Sequence, residues 1–108
     1  MDRLSVTLAA AGFCLAGPAL ASSDEAWAEF AAKVEAKCLA AATDMLEEPA
    51  IAVDPFGTES YGVAILTGKP KGAEGQVSYL CVMDKKTETA ELGSELGADT
   101  VMVTIPAK

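Results

Sequence analysis

Serine, lysine, carboxylate and thiol groups are the reactive side chains of this sequence, and histidine is absent. Without imidazole, a proton acceptor near neutral pH has to be a shifted carboxylate or lysine. Gly57-Thr58-Glu59-Ser60-Tyr61-Gly62 sets a serine between glycines. Its spacing is G-x-x-S-x-G rather than that of a nucleophile elbow, and no imidazole can take the Ser60 proton. Lys69 or Lys71 would serve as the base of a Ser–Lys dyad, but nothing in their spacing pairs them with Ser60. Asp54, Glu59, Asp84, Glu88 and Glu91 fall at expected turns or strand ends, where paired carboxylates perform glycosidase-type acid–base work. Sixteen acids in 108 residues bring such pairs together by chance. Asp84 and Glu88 also flank Lys85-Lys86 as turn-shaping residues do. No calcium-loop spacing occurs, and Gly68–Gly75 lacks the phosphate-loop signature and joins strands instead of opening a helix. No metal and no cofactor are expected.

Charge narrows the function further. The formal net charge is −8, which excludes a basic nucleic-acid binder and implies repulsion from anionic lipid. Arg3 is the single arginine, so bidentate guanidinium recognition is missing from the rest of the chain. Asparagine is absent, and N-glycosylation with it.

Residues 1–21 read as a secretory signal. Arg3 supplies the positive start, Leu4 to Ala16 an apolar run, Gly17-Pro18 a helix break, and Ala19-Leu20-Ala21 an A-x-A cleavage site before Ser22. The run spans only ~20 Å as a helix, short of a ~30 Å hydrocarbon core. The expected destination is periplasmic or extracellular, with no stable membrane insertion once the signal is removed. Cleavage removes Cys14 and leaves Cys38 and Cys81. Two cysteines in an exported domain pair as a structural staple, and no C-x-x-C suggests redox chemistry.

Residues 22–108 form one small domain with elements able to hold these groups. Ser22 at an N-cap with Glu25 three residues on matches a capping box. From there to Glu48 the chain holds neither Gly nor Pro, and Trp27, Phe30, Val34, Cys38, Ala41 and Met45 recur at three or four residues along one apolar face. Trp27 and Phe30 are expected in the core. The pattern predicts a helix of ~36 Å that Pro49 stops. Extended segments follow at Ala50–Val53, Tyr61–Thr67, Gln76–Met83, Glu88–Leu92 and Thr100–Ile105, separated by turn residues. Period-two alternation places Val77, Tyr79, Cys81 and Met83 on one face, which meets the helix if Cys81 pairs with Cys38. Val101, Val103 and Ile105 are expected inward. Leu80, Val82, Met102 and Leu66 are expected on the opposite face. The fold class is α+β: one long N-terminal helix on an antiparallel meander of four or five strands, stapled by one disulfide.

These features favour a small exported, non-catalytic binding module whose partner is an unknown protein or small ligand. Its candidate surface comprises Asp54, Phe56, Glu59 and Ser60 in one loop with Tyr61 at the start of the strand that follows, Lys69 and Lys71 in another loop, and Leu80, Val82 and Met102 on the outer sheet face. A separate alternative is a purely structural envelope component, which self-associates as a homodimer through Leu80, Val82 and Met102 on that face. The catalytic alternative is a minimal hydrolase or lyase using carboxylates with Ser60 or Tyr61.

Overall fold

The computed structural model describes residues 23–107. The expected signal segment and Ser22 lie outside the described residues. Helix α1 spans Asp24–Ala41. Ser23 caps it, its hydroxyl accepting the Ala26 amide at 3.1 Å, and Asp24 and Glu25 sit at the positive end of the helix dipole.

The helix stops well before Pro49. The Ala42 amide closes onto the carbonyls of Cys38 and Leu39, the Thr43 amide onto that of Ala40, and the Thr43 hydroxyl donates to the Leu39 carbonyl. Acidic Asp44, Glu47 and Glu48 would crowd the negative end of a longer helix, and Thr43 is a weak helix former. Turning early buries Ala42 and Leu46, and leaves Met45 at 42% exposure instead of on the apolar face.

The freed residues extend the first strand, β1, over Leu46–Val53. Pro49 lies inside it, where the register slips between Glu47 and Ala50 and Glu48 takes φ 45°. β1 is an edge strand, and a bulge there tolerates a residue without an N–H. β2 spans Tyr61–Pro70, β3 Val77–Asp84, β4 Ala90–Leu92 and β5 Leu96–Gly97. The sheet is antiparallel in order β1-β2-β3-β4, and β5 also pairs with β3. One helix on an antiparallel sheet of four to five strands is the architecture the sequence predicts.

The last expected strand does not form. β4 occupies the β3 edge at Cys81–Met83 and β5 at Val77–Ser78, so Thr100–Ile105 has no free edge beside them. That segment runs as an irregular tail, tied where the Gln76 amide donates to the Val103 carbonyl and to the Thr67 hydroxyl. Val101 and Met102 are exposed, and Val103 and Ile105 are only half-buried.

The core lies between α1 and the inner sheet face. Val77, Tyr79, Cys81 and Met83 are all buried, as alternation requires. Leu66 joins them rather than the outer face, because it pairs in register with Tyr79 and is fully buried. Each large apolar side chain buried this way contributes about 1.5–3 kcal/mol. Cys38 on the helix and Cys81 on β3 form the disulfide across this core, with Cα atoms 6.0 Å apart. Closing 43 residues is worth roughly 4 kcal/mol, a large share of the ~5–15 kcal/mol that holds a small domain folded.

Gly62 explains why β2 carries a residue that weakens strands. A Cβ there would stand 2.5 Å from Val34 Cγ2 and 3.1 Å from Phe30 Cζ, so the helix rests directly on the β2 backbone.

Two outcomes follow for stability. Reduction, or joint Cys38→Ala and Cys81→Ala replacement, is expected to lower the unfolding free energy by about 3–4 kcal/mol. Urea titration followed by circular dichroism measures it, and an unchanged midpoint would mean that the sulfurs are not joined. Gly62→Ala is expected to cost about 1–3 kcal/mol. Combining it with Val34→Ala should cost less than the two single changes added, because the smaller neighbour returns the space. Strict additivity would separate helix and strand.

Candidate functional site

The meander brings three segments to one end of the molecule: the start of α1, the loop 54–60 and the turn 85–89. Asp54 organises the loop, its Oδ1 accepting the amides of Phe56 and Gly57 at 3.0 Å each. Gly57 has φ 72°, and a Cβ there would meet the Tyr61 carbonyl. Thr58 closes the loop, donating its amide to the Tyr61 carbonyl and accepting the Tyr61 amide on Oγ1. Asp84 repeats the device in the turn, its Oδ1 accepting the amides of Lys86 and Thr87.

Lys85 joins the pieces. Its amide donates to the Ser60 carbonyl, and its ammonium donates to the carbonyls of Thr58 at 2.6 Å and Phe56 at 3.1 Å. The same ammonium lies 5.0 Å from the Phe30 ring centre and 5.9 Å from that of Trp27, within cation–π range. Trp27 packs edge-on against both Phe30 and Phe56. Trp27 is half-buried and stands outside the core cluster, which corrects the expectation that it would be core. Phe30 packs against that cluster from its margin. Beside them Lys33 on α1 pairs with Glu88 at 2.7 Å, both side chains substantially exposed.

Two open hollows flank Lys85. One, of about 410 Å³, lies among Trp27, Phe30, Lys33, Met83 and Glu88. The other, of about 400 Å³, lies among Glu59, Ser60, Tyr61, Asp84 and Lys86.

The titration behaviour here is that of turns and an ion pair. Backbone amides from Phe56 and Gly57 hold the Asp54 carboxyl below its usual range, as those of Thr87 and Lys86 do for Asp84. The Lys33 ammonium lowers Glu88. All three carboxyls move the same way, whereas acid–base catalysis by a pair requires their ionisation to be pushed apart. Elsewhere, burial raises the Tyr79 phenol, and so does its hydrogen bond to Glu95. Among the described residues, no three of the Cys, Asp and Glu side chains converge as a metal site.

The outer sheet face is a second feature. Tyr61, Leu80 and Val82 are 43%, 50% and 37% exposed, and half-buried Val63 and Ile65 lie between them. A hollow of about 270 Å³ opens along Ala52, Val63, Ile65 and Leu80 and reaches Asp54. At the far end of this face Thr67 and Ser78 are buried and hydrogen-bonded to one another, close to the point where Gln76 ties down the tail.

The structure thus groups Asp54, Phe56, Glu59, Ser60 and Tyr61 at one end, and Leu80 and Val82 on the adjoining outer face. Lys69 and Lys71 lie at the opposite end, where Lys69 pairs with Glu47 at 3.6 Å and the Lys71 amide donates to the Met45 carbonyl. Met102 sits on the tail and is not part of the sheet face. Trp27, Lys33 and Lys85 also belong to this end, although none of them is on the surface expected from the sequence. Strand parity was the available signal, since in a meander the β1–β2 loop and the β3–β4 turn share one end.

The chain matches no protein-family model, no curated protein and no solved structure.

The lowered carboxyls set a pH dependence. A group whose native pKa lies below its unfolded value stabilises the fold above that unfolded value, near 4, and loses this as pH falls through the native one. The urea midpoint is therefore expected to hold above about pH 5 and to decline below about pH 4. Joint Asp54→Ala and Asp84→Ala replacement should start lower at neutral pH and decline less towards acid. An identical acid slope in the two proteins would remove these turns from the titration.

Proposed function

We propose that this protein is a small exported module that binds a partner without catalysis, and that the outer face of its sheet is the binding surface. The observation that carries this reading is the apolar strip of Tyr61, Val63, Ile65, Leu80 and Val82, which no element of the described chain covers. Isolated exposed apolar side chains are ordinary, but a contiguous strip on two paired strands is a feature of interaction surfaces. The buried helix-to-sheet disulfide supports residence in an oxidising compartment, and no described helix is long and apolar enough to cross a membrane. The occupant of the strip is a protein or a small ligand, and a homodimer is the self-associating variant of the same reading.

The test has two arms. Protein recovered from the culture should begin at Ser22 with Cys38 and Cys81 joined, as mass spectrometry reads directly. Amide-resolved NMR against the contents of that compartment should show shifts confined to Tyr61, Val63, Ile65, Leu80 and Val82. Joint Leu80→Thr and Val82→Thr replacement should abolish them while shifting the melting free energy by only about 0.5 kcal/mol or less, since both residues are exposed. Shifts centred on Trp27, Phe56 and Lys85 would instead assign binding to the aromatic end.

A further inference from the structure

The lysines at this end of the molecule do little to offset the charge around the outer strip, because two of them face the helix side. The Lys85 ammonium donates to the Phe56 and Thr58 carbonyls and lies over the Phe30 ring, and Lys33 stands on α1 paired with Glu88. The strip itself is bordered by acids. Asp54 lines its hollow, Asp84 stands in register with Tyr61, and Glu91 stands in register with Val82. Lys86, in the turn beyond Asp84, offsets one of these charges. Asp54 and Asp84 each use one carboxylate oxygen to hold a turn, and the amides that bind it keep the group ionised. An apolar centre with an anionic rim selects a partner of the inverse pattern.

The dimensions are also bounded. Along β2 the strip runs from Tyr61 to Ile65, about 13 Å at the rise of a strand. Beyond Ile65 the next outward residue, Thr67, is closed off beside the tethered tail. That length matches about nine residues of α-helix. A second copy is a poor occupant, because two chains of net charge −8 would meet acidic rim to acidic rim. A membrane of anionic lipid is repelled for the same reason.

We propose that the outer face receives a short amphipathic helix of a partner protein, its apolar side on Val63, Ile65, Leu80 and Val82 and its flanking lysines or arginines against Asp54, Asp84 and Glu91. This rests on the reading of the outer face as the binding surface and specifies what it takes. The rim adds selectivity and salt dependence, while the strip supplies the buried area.

The experiment titrates the disulfide-bonded protein with two 12-residue helical peptides that share one leucine face. One carries lysine at every other position, the other glutamate. Fluorescence anisotropy gives affinity and NMR gives the location. The leucine–lysine peptide should bind with amide shifts confined to the strip, and at least tenfold more weakly at high salt than at low salt. Joint Leu80→Thr and Val82→Thr replacement should weaken it at least tenfold. The leucine–glutamate peptide should bind at least tenfold more weakly than its counterpart. Equal binding of both peptides on the strip overturns the cationic partner and leaves the binding face standing. Shifts of the leucine–lysine peptide away from the strip overturn the inference. Concentration-dependent dimers in sedimentation that Leu80→Thr abolishes assign the face to a second copy and overturn it too. No binding of either peptide by a strictly monomeric protein overturns the inference and the binding face together.

Discussion

The contact between the C-terminal half of α1 and the middle of β3 is the constraint on which the rest depends. Cys38 and Cys81 are covalently joined there and wholly buried, with Val34 on the helix and Met83 and Tyr79 on the strand around them. A domain of this size has little apolar volume with which to offset chain entropy, and closing the long segment between these residues removes much of that entropy from the unfolded ensemble. Gly62 serves the same contact from the next strand by letting the helix approach the backbone. Once helix and sheet are set together, the parity of the meander decides which loops share an end.

The described residues form two layers, and among them only one sheet face is covered by the helix. At the uncovered face the local solutions differ along the strands. One end is closed by polar groups that satisfy one another, Thr67, Ser78 and Gln76, next to the tethered tail. The middle stays apolar and open, bordered by carboxylates that also build the turns. Asp54 and Asp84 thus have two physical roles: they accept backbone amides that would otherwise need water, and they give this side of the protein its sign.

Much of this was legible in the residues. The inward set of β3 followed from period-two alternation, and the disulfide from the pairing of two cysteines on faces that had to meet. The helix end is not legible because Met45 continues the three-to-four-residue pattern after Ala41, and only the acids at 44, 47 and 48 argue against it. Thr100–Ile105 has the composition of a strand, but composition does not tell whether an edge is free to receive it. In the sequence Lys85 is one of two lysines at an expected turn flanked by Asp84 and Glu88. Its work on the Phe56 and Thr58 carbonyls depends on a loop distant in sequence, as does its place over Phe30.

The slipped register of β1 bears on how the protein behaves in company. A sheet margin with a regular row of amides and carbonyls invites the next molecule to add a strand, and the addition repeats into fibres. Here Pro49 interrupts the row of donors, Glu48 leaves the extended conformation, and Glu47 and Glu48 place negative charge alongside. Only the four residues Ala50–Val53 keep a regular register beyond the bulge, so this margin is a short and poor template for a strand of a neighbouring molecule.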